Sequence, residues 1–342
     1  MSWMMPAETA PQERIWMAFP PLGASVFATA ESAHEAREAW ARVAHEILEF
    51  EPVTMVVDPA DRQAARKYLS DMVEVFEAPL DDAWMRDIGP SFVHDADTGA
   101  LGAVDWVFNG WGQQDWAKWA RDSAIGATVG RAAGARIVDS KLVNEGGGIQ
   151  VDGLGTVLVT ETVQLDPMRN PGLDKAAVEA ELARTIGARH VIWLPRGLTR
   201  DNAQHGTRGH VDIVAAIPAP GVLLVHAQLD TAHPDWAVTR ELLGLLRETT
   251  DADGRSWDIV EVPAPQVLRD ADDWVDYSYI NHLVVNDGVI ACGFGDPNDS
   301  VAAAILAEVY PGRQVRTVDA REIFARGGGI HCITQQQPRG FG

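Results

Sequence analysis

A strand-turn-strand unit recurs along this chain. Each copy has a polar or glycine-flanked turn, an apolar strand, a tight turn and a second apolar strand. The copies begin at Asp87, Glu145, Gly209, Ser278 and, in part, Gly327. Dipeptides of the kinds that close β-hairpins follow the first strand of three copies: Asp152-Gly153, Pro220-Gly221 and Asp287-Gly288. Five weak copies, roughly 50 to 70 residues apart, predict a radial or stacked repeat.

Helical patterns lie between the copies. Residues 31–50 carry apolar side chains at helical spacing on one face. Residues 174–186 also carry apolar side chains at helical spacing, and this pattern ends at Gly187. Residues 298–300 supply N-cap candidates for a third helix. Strand pairs that alternate with helices predict an α/β architecture. Because no linker or low-complexity tract divides the chain, we predict a single domain over residues 1–342.

The charge balance limits what the chain binds. With 28 Lys and Arg against 49 Asp and Glu, the net charge is −21, which repels nucleic acid and favours cationic ligands. Two cysteines are too few for a disulfide framework, and the start at Met1 has no signal segment, so we predict a cytoplasmic protein. Prolines and a glycine break the longest uncharged run, residues 213–229, so no membrane span is predicted. The oligomeric state, including a homo-oligomer, stays open.

The stretch GGGIHCITQQQP, residues 327–338, contains Cys332. Its three glycines allow a sharp bend or a close approach to a ligand, and a turn that exposes Cys332 would let its thiolate act as a nucleophile. The competing interpretation is a small buried hydrophobe, which suits Cys292 in its apolar strand pattern. His331 should point to the opposite face of a strand from Cys332, and we do not predict it as the base.

His210 is the best candidate for proton transfer. In the motif GHVD, Asp212 lies two residues after His210, so an extended strand would present both side chains on one face. The alternatives are a solvent-facing polar edge and half of a metal site. No further His or Cys lies at ligand spacing, which makes the metal alternative weak.

Carboxylates complete the candidate set. Asp87 follows Trp84 in DDAWMRDIGP, a stretch that alone would be read as a solvated loop with an anchoring aromatic. Glu145 comes directly before three glycines, and Cys332 comes shortly after the other three-glycine stretch. Carboxylates do not suit an oxyanion, which needs N–H donors, but they suit a planar cation. A guanidinium pairs bidentately with carboxylates, so Asp87 and Asp212 could clamp it while a thiolate attacks its central carbon.

These motifs resemble those of the agmatine deiminases, bacterial-type peptidyl-arginine deiminase relatives within the guanidino-group-modifying (pentein) superfamily. The resemblance covers nearly the whole chain and rests on MPAETAPQERIWMAFP, WMRDIGP, FNGWG, EGGGIQVDGLGTVLVTE, RNPGL, VIWLPRG, GHVD, FGDPND, DAREI and GGGIHCITQQQP. It implies a five-bladed α/β propeller of ββαβ modules around a pseudo-fivefold axis, which fits the five weak copies.

The resemblance also implies a role for each site residue. These roles are Cys332 as nucleophile, His210 as general acid and base, Asp87 and Asp212 as guanidinium ligands, Glu145 as part of the hydrogen-bonding shell and Trp84 as pocket lining. The implied reaction passes through a covalent amidino-thioether on Cys332 and releases ammonia and a ureido product. With agmatine as substrate that product is N-carbamoylputrescine, in polyamine biosynthesis. No metal or organic cofactor is implied.

Four positions depart from the agmatine deiminase pattern: Gly206, Arg208, Ile213, where the family usually has Asn, and His282, where an aromatic is common. Ahead of GH the family usually has an acidic residue, where this chain has Gly206, and Arg208 replaces an Asp or Asn. An acidic side chain would suit the distal ammonium of agmatine, whereas Arg208 would suit a distal carboxylate. We therefore expect agmatine as the substrate by family frequency, with arginine or a guanidino acid as the alternative. Amidino transfer to an amine and a silent guanidine-binding protein are the further alternatives.

Overall fold

The computed structural model describes residues 2–23, 27, 29–203, 205–271 and 273–340, and the structural statements below concern these residues. Their strands are β1 (Trp3–Met4), β2 (Gln12–Ala18), β3 (Val53–Val57), β4 (Glu74–Glu77), β5 (Ser91–Asp95), β6 (Leu101–Val107), β7 (Arg136–Val143), β8 (Gln150–Val151), β9 (Thr156–Thr160), β10 (His190–Leu194), β11 (Ala215–Ala219), β12 (Val222–Ala227), β13 (Asp258–Pro263), β14 (Leu283–Val285), β15 (Gly288–Gly293), β16 (Gln314–Asp319) and β17 (Thr334–Pro338). Their helices are α1 (Ala30–Leu48), α2 (Arg62–Ala65), α3 (Met85–Ile88), α4 (Gly110–Gln113), α5 (Ile125–Ala132), α6 (Glu161–Gln164), α7 (Lys175–Ile186), α8 (Asp235–Arg247), α9 (Asn298–Val309) and α10 (Arg321–Phe324).

Within these described ranges the strands form five sheets. Four sheets share one order of elements: two antiparallel strands, then a helix, then a third strand parallel to the second. The four sets are β5-β6-α5-β7, β8-β9-α7-β10, β11-β12-α8-β13 and β14-β15-α9-β16. The α/β class is therefore confirmed, and each of the three predicted hairpins is present.

The fifth sheet joins the two ends of the chain. Its β17 pairs antiparallel with β2, and β3 and β4 extend the sheet in parallel, with α1 between β2 and β3. The partial copy predicted at Gly327 is therefore completed by a strand from the other end of the sequence.

The long helices follow their sequence patterns. The side chain of Thr29 accepts from the N–H of Ser32 at the start of α1, and the apolar face of α1, including Trp40, is buried. Asp174 caps α7, which ends at Gly187 with a φ of 75°, a conformation that glycine adopts without strain. The prediction for residues 298–300 was wrong, because α9 begins at Asn298 itself, directly after Pro297.

Two segments predicted as strands are turns. Val211–Ile213 is a short 3-10 turn that follows His210, and residues 330–333 form a turn ahead of β17. Strand alternation therefore does not decide where the side chains around His210 and Cys332 point. The turn Val211–Ile213 packs beside two other segments that carry site residues: it contacts the turn Gly146–Gly148, which contacts α3.

Candidate active site

One side chain from the segment that leads into each sheet lies in a common buried cluster. These side chains are Asp87 ahead of β5, Glu145 ahead of β8, His210 ahead of β11, Asn281 ahead of β14 and Cys332 ahead of β17. Four of them were predicted from the sequence, and Asn281 was not. The signal was available, because Asn281 stands at the start of the fourth repeat, where the other copies carry their unusual polar residues.

The Cys332 thiol has closely defined neighbours. Its Sγ lies 3.3 Å from Asn281 Nδ2 and 3.6 Å from Asp212 Oδ2. The amide oxygen of Asn281 accepts from the backbone N–H of His331 at 3.0 Å, and the Cys332 carbonyl accepts from the N–H of Arg86 at 3.0 Å. Both contacts hold the turn that carries the thiol. Cys292 is buried in β15, in agreement with its interpretation as a core residue.

His210 has one bonded and one unbonded ring nitrogen. Its Nε2 donates to Glu145 at 3.1 Å, and Glu145 also accepts from Arg169 Nε at 3.0 Å. Its Nδ1 is buried without a hydrogen-bond partner among the described residues and lies 3.8 Å from Asp87. Burial alone would lower the His210 pKa, but the negative charges of Asp87 and Glu145 outweigh it and raise that pKa to about 9. His210 is therefore an imidazolium at neutral pH.

Asp201 holds the loop that ends at His210. Its carboxylate accepts from the N–H of Gly209 at 2.9 Å, from the N–H of His210 at 2.8 Å, and from both the N–H and the hydroxyl of Thr207. These bonds, rather than strand pairing, orient the histidine motif. Asp201 was not among the predicted site residues.

Asp87 and Asp212 lie on either side of the space in front of Gly147. Asp87 accepts from the N–H of Gly147 at 3.1 Å and from Trp111 Nε1 at 2.9 Å. One oxygen of Asp212, Oδ1, is buried without a partner in the described part of the chain. A Cβ at position 147 would lie 2.5 Å from His210 Nδ1 and 3.0 Å from an oxygen of each aspartate, so only glycine leaves this space open.

The second triple glycine serves the cysteine turn. Gly327 has a φ of 108°, in the region that favours glycine, and a Cβ on Gly328 would lie 2.7 Å from the Trp84 ring and 3.1 Å from Cys332 Sγ. Trp84 is buried and stands edge-on to Trp40. The predicted pocket residue thus lies against the turn that carries the thiol.

His331 contacts two carboxylates, which strand alternation did not predict. Its Nδ1 donates to Asp212 Oδ2 at 2.8 Å and its Nε2 donates to Glu8 at 2.8 Å. Carboxylates only accept, so both ring nitrogens carry protons, and the charges of Glu8 and Asp212 raise the His331 pKa against the effect of burial. The same Asp212 oxygen contacts both His331 and Cys332. The prediction that their side chains point to opposite faces is therefore wrong. Both ring nitrogens of His331 are already bonded to carboxylates.

The glutamines of GGGIHCITQQQP bind buried groups. Gln335 and Gln336 on β17 accept from the guanidinium of Arg86, which also donates to the carbonyl of His331 at 3.3 Å. Gln337 accepts from Trp16 Nε1 at 2.9 Å. The amide oxygens thus satisfy an arginine that is only 1% exposed, and this arginine adds positive charge behind Asp212.

Charges in the cluster are closely balanced. The carboxylates of Glu8, Asp87, Glu145 and Asp212 are matched by the cations Arg86, Arg169, His210 and His331. Burial raises the pKa of the Cys332 thiol well above its usual range, and the negative charges of Asp212 and Asp87 add to this effect. A cation that enters between these aspartates would offset their charge and favour the thiolate.

Two adjoining cavities lead to the thiol. The inner cavity is lined by His210, Asp212, Asp276, Phe324, Gly328 and Cys332 among others, and the outer cavity by Glu35, Arg200, His205, Gly206, Asp276 and Arg326 among others. Asp276, Phe324 and Gly327 line both. Arg208 is exposed, and its backbone N–H donates to the carbonyl of Asp201. Its predicted contact with substrate stays a prediction.

The described part of the chain has neither a metal-ligand cluster nor a helix suited to cross a membrane. No three His, Cys, Asp or Glu side chains there are arranged to hold a metal ion. No helix in the same part of the chain has the length and apolar character needed to cross a membrane.

Comparison with known proteins gives consistent matches over the whole chain. The sequence profile of the Porphyromonas-type peptidyl-arginine deiminase family matches residues 4–338. A Streptomyces coelicolor protein named "Putative agmatine deiminase" is 56% identical over 340 residues, 99% of this chain and 100% of that protein. The agmatine deiminase of Stutzerimonas stutzeri is 39% identical, over 99% of this chain and 96% of its own. The solved structure of Enterococcus faecalis agmatine deiminase superposes with a TM-score of 0.92 at 32% identity, covering 99% of this chain and 96% of the other.

Proposed function

Because this chain belongs to the Porphyromonas-type peptidyl-arginine deiminase family, we propose that it hydrolyses a guanidinium C–N bond of agmatine and releases N-carbamoylputrescine and ammonia. The observation that carries the proposal is the space bounded by Cys332 Sγ, His210 Nδ1 and the oxygens of Asp87 and Asp212. Two buried atoms of the residues that bound it, His210 Nδ1 and Asp212 Oδ1, have no hydrogen-bond partner among the described residues. Buried polar atoms of this kind are normally satisfied, and a guanidinium would satisfy the acceptor.

In the first half-reaction, Asp87 and Asp212 bind the guanidinium, and its charge favours loss of the Cys332 proton to solvent. The thiolate attacks the central carbon and gives a neutral tetrahedral adduct. The His210 imidazolium then protonates one amino group, the C–N bond breaks, and ammonia leaves. An amidino-thioether on Cys332 and a neutral His210 remain.

In the second half-reaction, neutral His210 takes a proton from a water molecule that attacks the same carbon. The new tetrahedral adduct collapses by breaking its C–S bond, which restores the thiolate and forms the ureido group after one proton passes to solvent. Glu145 stabilises the imidazolium throughout, because its carboxylate bonds Nε2 and is itself held by Arg169. Trp84 lies against the thiol-bearing turn, beside Gly328.

The relatives do not favour the alternatives. The named relatives are agmatine deiminases rather than amidinotransferases or silent binding proteins. Deimination of a carboxylate-bearing guanidine also loses support, since the predicted partner of a carboxylate, Arg208, does not line either cavity within the described residues.

The wider predictions extend this proposal. The order β-β-α-β in successive sheets, and the pairing of β17 with β2, support a five-bladed propeller around a pseudo-fivefold axis and a single domain over residues 1–342. We place the reaction in the cytoplasm because both cysteines are free and buried. The net charge of −21 favours a small cationic partner over nucleic acid.

Product analysis tests the proposal. Wild-type protein incubated with agmatine should release ammonia and N-carbamoylputrescine in equal amounts, and Cys332→Ala should lower this rate at least ~1000-fold. Cys292→Ala is the matched control and should keep the activity. A wild type that forms no more ureido product than Cys332→Ala would contradict the proposal and favour a guanidine-binding protein.

A further inference from the structure

The far end of the substrate needs its own binding group, and position 206 cannot supply one. A Cβ on Gly206 would lie 2.0 Å from the Asp201 carbonyl oxygen and 2.5 Å from its carbon. These are backbone atoms of a tightly bonded loop, since the carbonyl of Asp201 also accepts from the N–H of Arg208. With this backbone, residue 206 must be glycine.

Asp276, on the segment ahead of β14, presents a carboxylate to both cavities. It is the one acidic residue that lines the inner cavity near Cys332 and also the outer cavity, within the part of the chain that the structure describes. No other described side chain donates a hydrogen bond to it. The three other carboxylates of described residues around the outer cavity have cationic partners: Arg326 bonds Glu35 at 3.0 Å and Glu322 at 2.8 Å, and Arg269 lies 3.5 Å from Asp273.

The backbone on both sides of Asp276 is anchored. His233 Nε2 donates to the carbonyl of Val275 at 3.0 Å, and the Tyr277 ring stacks on Phe294 with centroids 4.6 Å apart. Ser278 donates to the carbonyl of Ile213 at 2.8 Å, which ties this segment to the turn after His210. The backbone that carries the Asp276 carboxylate is therefore held in place relative to the turn after His210.

The electrostatic environment of Asp276 favours a cationic ligand. Burial raises its pKa to about 7, the negative charges of Asp201 and Asp235 add to this, and Arg200 opposes it. Arg200 itself bonds Asp270 and the carbonyl of Trp274. A ligand cation would compensate the buried carboxylate and keep it ionised.

We propose that Asp276 binds the ammonium group at the far end of the substrate, so that the acidic group missing from position 206 is supplied by another segment. The inference rests on the function proposed above and names its substrate class: a guanidine joined by a short alkyl chain to a primary amine. The acidic group then favours agmatine over arginine or a guanidino acid.

Three substrates with the same guanidine test this inference. Agmatine carries the ammonium, n-butylguanidine lacks it, and 4-guanidinobutyrate has a carboxylate in its place. Asp276→Asn should lower kcat/KM for agmatine ~10- to 100-fold, mainly through KM, because a charged hydrogen bond is lost. The same variant should change kcat/KM for n-butylguanidine less than ~3-fold. Asp253→Asn is the matched control, since Asp253 is exposed, pairs with Arg189 at 2.7 Å, lines neither cavity, and should alter neither value.

The wild-type protein alone also tests the inference, through its relative activity on the three substrates. Its kcat/KM for agmatine should exceed that for n-butylguanidine by about the same factor by which Asp276→Asn lowers kcat/KM for agmatine. Its kcat/KM for 4-guanidinobutyrate should be the lowest of the three. Equal wild-type activity on agmatine and n-butylguanidine would overturn the inference even if Asp276→Asn did not fold, as would equal losses on both substrates in a folded variant. Either result leaves the proposed deimination intact, whereas a wild type inactive on agmatine contradicts the proposed function itself.

Discussion

The Cys332 thiol is a weak nucleophile until a cation arrives. Burial and the charges of Asp212 and Asp87 raise its pKa well above the usual range, while His210 nearby stays protonated up to about pH 9. In the free protein we therefore expect a thiol beside an imidazolium. The guanidinium reverses this balance, because it neutralises the two aspartates that disfavour the thiolate. Such an arrangement keeps an idle cysteine from reacting with other electrophiles.

The pH dependence follows from the Glu145–His210 pair. His210 must carry a proton to expel ammonia, so kcat/KM for agmatine should fall as pH rises through about 9. Glu145→Gln removes a negative charge that favours the imidazolium, which lowers the His210 pKa and moves this decline to lower pH by ~1 unit or more.

The measurement is a pH profile of kcat/KM for both forms, with Glu161→Gln as a surface control because Glu161 pairs with the exposed Lys175. If Glu145→Gln is too slow to assay, the His210 ring proton in an NMR titration reports the same pKa. A decline at an unchanged pH in a folded Glu145→Gln would show that Glu145 does not set the protonation of His210.

At the scale of elements, α3 and β17 are joined around Arg86. Its guanidinium bonds Gln335 and Gln336 and its backbone N–H bonds the carbonyl of Cys332, so one residue links the Asp87 helix to the thiol turn. Glu8 lies 4.0 Å from the same guanidinium. A buried charge of this kind is costly to leave without its partners.

Removing Arg86 should therefore destabilise the whole protein. Arg86→Gln leaves Glu8 and two glutamine oxygens without their cation, and we expect the free energy of unfolding to fall by ~3–5 kcal/mol. Arg247→Gln, which breaks the exposed pair with Glu261, should cost at most ~1 kcal/mol. Urea denaturation followed by tryptophan fluorescence measures both. A loss for Arg86→Gln no larger than that for Arg247→Gln would contradict this account of the glutamines.

Helices were predictable from the sequence and the site turns were not. The periodic apolar face of α1 and the Asp174 and Gly187 caps of α7 are local signals, and the structure follows them. The Val- and Ile-rich stretch after His210 reads as a strand, but the contacts of Asp201 with Thr207, Gly209 and His210 hold the chain in a turn. Long-range contacts of this kind override local propensity.

At the scale of the whole molecule, the five copies were visible in the sequence but their closure was not. Pairing of β17 with β2 joins residues from opposite ends of the chain, and no local pattern encodes it. The same limit explains why Glu8 escaped prediction, because it reaches the site through its contact with His331, which is distant in sequence. Motifs located the chemistry, whereas the packing of five sheets brings it together.

The covalent intermediate on Cys332 tests the central claim most directly. Wild-type protein mixed with agmatine and quenched in acid during turnover should yield a Cys332 peptide heavier by the mass of agmatine minus ammonia. The Cys292 peptide should be unchanged, and no adduct should form in Cys332→Ala. Turnover of agmatine without any adduct on Cys332, or an adduct on Cys292 alone, would contradict the account.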